Sequence, residues 1–419
     1  MIYRRAMQLS EIDLSDIEGF WTEPMAVREA AFETLRREDP IRFFAEQDTE
    51  YLPAGPGYYA LTRHADIVAA SKQPDLFQSG AGTNIPDLPP EFNEFFGSMI
   101  NMDDPRHARL RKLVSAGFTP RMLQRNMEDV EAAAKTIVHR LQEAGPGCDF
   151  VTACAAWLPV KIICDMMGIP ESQHEFVFDM TNIILSQGDP EFVPEDQNPL
   201  EAFLGAGAAL AGLIDEIAND ADGNEGDTLT HALVNAEIDG DKLTREEIQS
   251  FFVLLCAAGN ETTRNSISWG LTYLTANPDQ KALLQSDLDT HMPGAVEEIV
   301  RHASPVIHFR RTVTQDGAQL GDQTFTEGDK VVLFYGSGNR DDAVFDDPYA
   351  FDITRDNTNH IGFGGPGPHF CLGAHLARRQ INVLYKELLT QMPDIHAVGE
   401  PDRLRSSFIN GVKHLECAW

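Results

Sequence analysis

A single cysteine, Cys371, stands between a glycine-rich stretch and a segment with helical periodicity, in the sequence GFGGPGPHFCLGAHLARR. Gly364, Gly365 and Gly367 allow positive φ and close backbone approach, so they suit a turn whose amide groups point at one sulfur. The helix predicted to start at Leu372 would lower the pKa of a thiol at its N-terminus. A soft metal ion would hold that thiol as a thiolate. The alternative is a buried structural cysteine, because free cysteine is among the most buried residue types.

A carboxylate and a hydroxyl, Glu261 and Thr262, follow an apolar run inside the longest predicted helix. We predict that this helix extends from about Thr244 to Ala276, because Thr244 and Glu247 have the spacing of a capping box and Asn277 is followed by a proline. At 1.5 Å per residue it would be roughly 48 Å long and would cross the core. Its middle is apolar on all faces, as burial requires.

The sequence at the end of this apolar run is poor helix material. Ala258 and Thr262 lie one turn apart on the same face, and Gly259 between them has a low helix propensity. A threonine hydroxyl can compete for the carbonyl four residues back and loosen the helix locally. Taken alone, Thr262 would be an ordinary helix threonine and Glu261 a solvated charge.

Composition and charge exclude several classes of protein. Acidic residues outnumber basic residues 65 to 33, and the formal net charge is -32, so the surface would repel nucleic acid. No uninterrupted apolar run reaches the roughly 18 residues of a membrane span. We therefore expect a cytoplasmic protein without an integral membrane anchor. The six cysteines show no Cys-x-x-Cys spacing, which favours reduced thiols and argues against that kind of zinc site.

The hydrophobic pattern predicts a fold that is mainly α with small β-sheets. Helical periodicity continues to about residue 303, interrupted by clusters of Pro, Gly and Asp. Short β-rich pieces occur at 57–63, 306–314 and 330–337. There is no repeat, low-complexity tract or linker. We expect one domain over residues 1–419, with a short N-terminal extension at about 1–20.

Four short motifs give the sequence a family resemblance. In chain order they are His107 with Arg111, then 258–263 (AGNETT), then Glu298 with Arg301, then Phe363, Gly367, His369, Cys371 and Gly373. Together they resemble the soluble bacterial type of the cytochrome P450 superfamily. The resemblance implies the cytochrome P450 fold, with a long central helix over a buried haem, and monooxygenation with O2 as co-substrate.

The resemblance also implies a role for each matching residue. Cys371 would be the axial ligand of the iron of haem b. Ala258 would pack against the haem, and Thr262 and Glu261 would pass protons to the oxygen that is activated. Cationic or hydrogen-bonding groups would hold the haem propionates from His107, Arg111, Arg311 and His369.

A structural ion network is implied around Glu298 and Arg301, with Arg355 as the candidate second arginine. In isolation Glu298 and Arg301 could be a surface helix pair worth a few tenths of a kcal/mol. The sequence departs from the common family pattern at two places. Ala350 stands where an arginine or histidine is usual, which leaves the third member of the network open, and Pro366 is an additional residue in the cysteine loop.

Electrons must come from outside the chain, because it contains no flavin or nicotinamide fingerprint. The resemblance implies that a ferredoxin and a ferredoxin reductase supply the electrons, with NAD(P)H as the ultimate donor. It also implies that this protein is a monomer. A basic patch near the cysteine side would attract an acidic ferredoxin, and its candidates are Arg109, Lys112, Arg121, Arg378 and Arg379. The alternative is scattered, solvated charge.

The predicted substrate is apolar. In the family, two apolar stretches here would wall the pocket, the first containing Ile85, Leu88, Phe92, Phe95, Phe96, Met99 and Ile100, the second Pro305, Val306 and Ile307. Segments such as EFFGSMINMDDPRHARLR and KIICDMMGIP resemble actinobacterial enzymes that hydroxylate the terminal methyl of methyl-branched lipids, and their relatives that act on sterol side chains. We therefore expect ω-hydroxylation of a branched fatty acid, isoprenoid or sterol tail. Another small apolar substrate, such as a terpenoid or secondary metabolite, a peroxide-driven enzyme and a haem-based sensor are the alternatives.

Overall fold

Helices dominate the fold in the computed structural model of the chain, which describes residues 7–48, 53–117, 120–221, 226–238, 240–356 and 358–419. The α-helices are α1 Met25–Glu38, α2 His64–Ser71, α3 Pro90–Gly97, α4 Arg106–Gly117, α5 Pro120–Ala144, α6 Trp157–Met167, α7 His174–Leu185, α8 Pro199–Ala221, α9 Leu229–Asn235, α10 Arg245–Ala276, α11 Pro278–Ser286, α12 Leu288–Ala303, α13 Tyr335–Gly338 and α14 Ala374–Gln391. Short 3-10 turns cover Leu9–Glu11, Phe20–Thr22, Ser98–Asn101 and Glu171–Gln173, and a π turn covers Val151–Ala155. The mainly α prediction is confirmed.

The strands form small sheets beside the helices. They are β1 Ile41–Phe44, β2 Tyr58–Leu61, β3 Phe77–Gln78, β4 Cys148–Asp149, β5 Glu237–Ile238, β6 Asp241–Lys242, β7 His308–Val313, β8 Ala318–Leu320, β9 Gln323–Phe325, β10 Lys330–Phe334, β11 His396–Ala397, β12 Asp402–Arg403, β13 Val412–His414 and β14 Glu416–Ala418. The largest sheet has the order β1-β2-β10-β7-β3. Within it β10 runs parallel to β2 and antiparallel to β7, with Lys330 opposite Thr312 and Val332 opposite Arg310.

The long helix α10 has the start and the end that the sequence predicts. The Glu247 amide donates to Thr244 Oγ1 at 3.2 Å, and the Thr244 amide donates to Glu247 Oε2 at 2.9 Å, so both halves of the capping box are formed. The helix ends at Ala276, and Asn277 is its C-cap. Most of its residues are buried, as expected for a helix that crosses the core.

The three predicted β-rich pieces contain β2, β7 and β10, so each prediction is confirmed in part of its range. The third piece is shorter than expected, because β10 ends at Phe334 and the chain turns into α13. Glycine has a low β propensity, and Gly336 and Gly338 follow directly. A β-carbon on Gly338 would lie 2.7 Å from the side chain of Ile361, so a larger residue there would require the Ile361 side chain to shift.

Residues near the N-terminus pack into the fold. Ile12, Leu14 and Trp21 are buried against strands of the largest sheet, and the Trp21 ring stacks on Phe334 with centroids 6.1 Å apart. The six cysteines are free thiols. None of the described helices combines the length and the apolar composition that crossing a bilayer requires.

The capping box at Thr244 supports a stability prediction. We expect Thr244→Ala to lower the free energy of unfolding by about 1 kcal/mol, because the Glu247 amide loses its acceptor. Urea unfolding of the purified protein, followed by circular dichroism, measures this change. Thr244→Ser keeps an Oγ acceptor and is the control; equal midpoints for the alanine and serine variants would contradict the prediction.

Candidate active site

Cys371 lies at the end of a tight loop that its own backbone closes. The Cys371 amide donates to the Phe363 carbonyl at 3.0 Å, and the Gly364 amide donates to the Ile361 carbonyl at 3.0 Å. Gly364 has φ +88, a left-handed conformation that favours glycine. A β-carbon on Gly367 would lie 2.4 Å from the Ser71 carbonyl oxygen, so this position needs glycine for space.

The helix after Cys371 starts later than predicted. Its first residue is Ala374 and its N-cap is Gly373, because the backbone at Leu372 is still part of the turn. Pro366, the additional residue of the loop, is exposed at a bend and leaves the closing hydrogen bond to Phe363 intact.

Cys371 is an exposed residue, unlike the buried Cys154, Cys164 and Cys256. Desolvation by the surrounding protein nevertheless raises the pKa of the Cys371 thiol above its usual value, so the lowering predicted from the helix N-terminus is wrong for the free protein. The Gly373 amide opposes that rise, as do the charges of nearby arginines. The thiol therefore keeps its proton in the free protein, and a metal ion that binds it must displace that proton.

On α10, Ala258 is exposed although it follows the buried residues Cys256 and Ala257. Thr262 Oγ1 donates to the Ala258 carbonyl at 2.7 Å, which is the side-chain competition that the sequence predicts. Thr262 is itself half-buried. The helix thus opens one small, accessible face in an otherwise buried stretch, and the threonine hydroxyl lies one turn further along that face.

The carboxylate of Glu261 is buried in a polar cluster that the sequence analysis did not foresee. Arg264 NH2 donates to Glu261 Oε1, and Asn265 Nδ2 donates to the same oxygen at 3.0 Å. Glu261 Oε2 has no hydrogen-bond partner. Arg264 also donates to Asn182 Oδ1 of α7 at 2.7 Å. Glu261 is therefore a buried, paired acid; it is not a solvated surface charge.

Two histidines from distant segments stack beside the cysteine loop. The rings of His107 and His369 have centroids 4.4 Å apart, and His369 Nε2 lies 3.2 Å from Ser79 Oγ. Burial lowers the pKa of His107, and burial together with the charge of Arg311 lowers the pKa of His369 to about 2. Both rings are neutral at physiological pH. His107 Nε2 is buried and has no hydrogen-bond partner.

The predicted arginines lie next to this pair but use their donors differently. Arg111 donates to the carbonyls of Pro368 and Phe370 at 3.0 and 2.7 Å, so it clamps the cysteine loop. Arg311 is buried, and the hydrogen bond found for its guanidinium goes to the carbonyl of Arg310 at 2.8 Å. Arg311 thus keeps most of its donors for an anionic group.

Glu298 and Arg301 form a buried, two-pronged ion pair, with Nε and NH2 of Arg301 each 2.7 Å from a Glu298 oxygen. Arg355 Nε lies 3.4 Å from Glu298 Oε2. The amide of Asp352 adds a hydrogen bond to Glu298 Oε1 at 2.9 Å. At Ala350 the carbonyl accepts from Arg301 and Arg355, so backbone atoms complete the network that the sequence left open.

A second ion network, not foreseen from the sequence, holds the cysteine loop from the other side. Arg378 donates to both oxygens of Glu297 at 2.6 and 2.9 Å, and His360 Nε2 lies 2.9 Å from Glu297 Oε2. The Arg378 guanidinium lies 4.2 Å from the centroid of the Phe363 ring. No local spacing predicts this network, because its members are more than fifteen residues apart in the chain.

The predicted basic patch carries less unopposed charge than expected. Three of its arginines have acidic partners on this chain, namely Arg109 with Asp241 and Glu247, Arg378 with Glu297, and Arg379 with Glu131. Lys112 lies on α4, and the side chain of Arg121 is outside the described residues. An acidic partner protein would therefore have to displace these carboxylates in order to pair with the arginines.

One predicted pocket-wall segment forms α3 and packs between two long helices. The ring of Phe96 stacks on Phe203 of α8 with centroids 3.8 Å apart. A β-carbon on Gly207 would lie 2.4 Å from the Phe96 ring, so glycine makes room for this contact. Ser250 Oγ of α10 donates to the Glu94 carbonyl at 2.9 Å, which ties the other side of α3 to the central helix.

Comparison with known proteins identifies the class. The family described as Cytochrome P450 matches residues 207–392, and relatives of that class match nearly the whole chain. The chain belongs to the cytochrome P450 family, and it is a P450 monooxygenase, an enzyme class that uses haem iron and O2. The predicted family resemblance is thereby confirmed.

Three relatives show where the chain stands within the family. A methyl-branched lipid omega-hydroxylase of Mycobacterium tuberculosis is 46% identical over 419 residues, covering 98% of this chain and 96% of that protein. A steroid C26-monooxygenase of Rhodococcus jostii is 37% identical over 409 residues, covering 95% and 84%. A solved structure, a Mycobacterium marinum cytochrome P450 in complex with pseudoionone, is 41% identical with a TM-score of 0.90, and each chain is covered completely.

The residues around Cys371 fit a haem. The exposed residue Cys371 would offer a soft thiolate ligand for iron. The exposed small side chain of Ala258 leaves space for a flat group. His107 Nε2 and the guanidinium of Arg311 are buried donors with capacity to spare, as two propionates would require.

The Glu297 network supports a pH-dependent prediction. Burial works to raise the pKa of Glu297, but the hydrogen bonds from His360 and Arg378 outweigh it and lower that pKa to about 2. Because the folded pKa lies below the unfolded one, the stabilisation is present above the ordinary glutamate pKa and is lost as the pH falls towards about 2. We expect Glu297→Gln to cost about 2 kcal/mol at neutral pH.

Urea unfolding of the haem-loaded protein at several pH values checks this expectation. The difference in the free energy of unfolding between wild type and Glu297→Gln should become smaller as the pH falls below about 4.5. Glu195→Gln, at an exposed glutamate, is the matched control and should show no such trend. A wild-type-minus-variant difference that stays constant with pH would show that Glu297 does not carry this linkage.

Proposed function

We propose that this protein hydroxylates the terminal methyl of a methyl-branched lipid, with haem b as cofactor and electrons from a ferredoxin and its NAD(P)H-dependent reductase. The observation that carries the proposal is the 46% identity, over 98% of the chain, to a methyl-branched lipid omega-hydroxylase. We further propose one haem domain over residues 1–419, working as a cytoplasmic monomer.

Cys371 is the proposed axial ligand. Haem, when bound, supplies an iron centre that activates O2, and a thiolate ligand favours cleavage of the O–O bond. The loop hydrogen bond from Cys371 to Phe363 fixes the position of the sulfur, and the Gly373 amide stabilises its negative charge. Phe363, Gly367 and Gly373 are structural residues of this loop in the proposal.

Proton delivery is assigned to Glu261 and Thr262. Glu261 Oε2 is buried without a hydrogen-bond partner, so this oxygen is the one available to receive a proton and pass it on. Thr262 Oγ1 donates to the Ala258 carbonyl, and a rotation of this hydroxyl would present the proton to the accessible face of α10. Arg264 and Asn265 hold Glu261 Oε1 and so orient the carboxylate.

The proposed propionate-binding residues are His107, Arg111, Arg311 and His369. A second set, Glu298, Arg301 and Arg355, is proposed to brace the loop that precedes the Cys371 turn. Because both histidines are neutral, Arg111 and Arg311 supply the positive charge. This matches the two negative charges of the propionates.

The apolar wall orients the substrate. A terminal methyl has stronger C–H bonds than the branched carbon next to it, so the pocket must admit the chain end first and keep weaker bonds away. The contact of Phe96 with Phe203 and Gly207 gives α3 a fixed position for this purpose.

A sterol or isoprenoid tail is the second candidate substrate. The 37% identity to a steroid C26-monooxygenase and the similarity to a structure with bound pseudoionone favour it. All these tails are branched and apolar, so the same wall would accept them.

Product analysis tests the proposed function. Purified enzyme with a ferredoxin, its reductase and NADPH should convert a methyl-branched fatty acid into its ω-hydroxy derivative, identified by mass spectrometry. A sterol and an unbranched fatty acid of similar length are the comparison substrates. Oxidation only at the interior carbons, or of none of the branched substrates, would contradict the proposal.

Replacing the threonine hydroxyl should uncouple the enzyme. We expect Thr262→Ala to lower the amount of product per O2 consumed by about tenfold, with hydrogen peroxide formed instead, because proton delivery is impaired. Parallel measurement of O2, peroxide and product checks this. Thr262→Ser retains the hydroxyl and is the control; full coupling in the alanine variant would contradict the role of Thr262.

A further inference from the structure

Two buried cations, Arg310 of β7 and Lys330 of β10, contact the carboxylate of Asp87. Asp87 lies on the loop that leads into α3. Arg310 NH1 donates to Asp87 Oδ1 at 2.6 Å, and Lys330 Nζ lies 2.7 Å from Asp87 Oδ2. The side chains of Arg310 and Lys330 are 1% and 4% exposed, whereas that of Asp87 is 54% exposed. Each oxygen of Asp87 thus contacts a different buried cation while the residue also faces solvent.

The second acid of this cluster, Glu46, is held more firmly. Glu46 Oε1 accepts from Lys330 Nζ at 2.8 Å and from the Gly57 amide at 3.2 Å. Its side chain is 7% exposed. Two cations and two carboxylates balance, so displacement of Asp87 would leave one buried positive charge without a counterion. Such a charge is costly unless another anion takes the place.

Asp87 is not needed to hold the loop on the sheet. Arg310 and Lys330 also donate hydrogen bonds to backbone carbonyls of the loop. Arg310 donates from its guanidinium and its backbone amide, and Lys330 donates from Nζ. The carbonyls are those of Ala81, Gly82, Thr83 and Ile85. These hydrogen bonds remain if the Asp87 side chain turns outward, so the carboxylate can leave without releasing the loop.

The cluster lies beside residues from both apolar stretches that the sequence predicts as pocket wall. Ile85, two residues before Asp87, packs against the apolar cluster that contains Ile307. Three residues after Asp87, α3 begins at Pro90. A ligand carboxylate in the place of Asp87 would therefore lie close to residues of both predicted wall stretches, Ile85 and Ile307.

We infer that Arg310 and Lys330 form a subsite for the carboxylate of a fatty-acid substrate, and that Asp87 occupies this subsite until the substrate displaces it. The inference rests on the proposed function and narrows its substrate class to free acids. One carboxylate replaces another on the same two donors, so charge balance is preserved, and Asp87 moves into the water that it already faces.

An anchored carboxylate also explains how the enzyme could select a terminal methyl. With one end of the chain fixed at Arg310 and Lys330, the length of the chain decides which carbon reaches the reaction centre. A methyl ester lacks the charge and would not be fixed in this way.

The test compares a methyl-branched fatty acid with its methyl ester. Their dissociation constants for the haem-loaded protein are measured by calorimetry and by the spectral shift of the haem. We expect Asp87→Asn to tighten binding of the acid about fivefold, because an internal competitor is removed, and to leave the ester unchanged. Asp322→Asn, the same charge change at an exposed aspartate of the β8–β9 turn, should alter neither.

A second variant keeps the test independent of Asp87. Lys330→Gln combined with Glu46→Gln removes a cation and its buried partner together. This double variant should weaken binding of the fatty acid about tenfold without changing binding of the ester. An acid-to-ester ratio that is the same in wild type and both variants, while wild type still hydroxylates the lipid, would overturn the subsite alone. If wild type neither binds nor oxidises any branched lipid, the proposed function and the subsite both fail.

Discussion

The proposed site depends on one sulfur atom, that of Cys371, which a metal ion would bind by displacing its proton. Burial raises the pKa of the Cys371 thiol, and the Gly373 amide and nearby cations only partly oppose it. The loop nevertheless holds Cys371 in one place through its hydrogen bond to Phe363. A preformed position lowers the entropic cost of ligation, so the metal's affinity for a soft thiolate can offset the loss of the proton.

The loop is held by networks on both sides that use buried or half-buried charge. Arg111 binds two loop carbonyls, and Arg378, fixed by Glu297, covers the Phe363 ring. On α10 the acid Glu261 is tied to Arg264, which reaches α7 through Asn182. The acid of the proposed proton path is thus mechanically connected to a helix outside α10, so its orientation depends on how α7 packs.

Sequence patterns predicted the features that depend on interactions between residues a few positions apart in the chain. The capping box of Thr244 and Glu247 fixed the start of α10, and the competition of Thr262 for the Ala258 carbonyl follows from a spacing of four residues. Contacts between distant segments could not be read in this way. The partners of Glu297 lie on other elements, and the pairing of Arg109 with Asp241 depends on how α4 meets β6. The role of the Ala350 carbonyl was hidden because a backbone atom replaces a side chain.

Thiolate ligation by Cys371 is the central claim, and the absorption spectrum of the reduced, carbon monoxide-treated protein tests it most directly. Cys154, Cys164 and Cys256 cannot substitute for it, because each is enclosed in the core whereas Cys371 is exposed. We expect the long-wavelength Soret band of a thiolate-ligated ferrous carbonyl haem, and its loss in Cys371→Ala. A band at the shorter wavelength of a neutral-thiol or imidazole ligand in freshly purified wild type would contradict it.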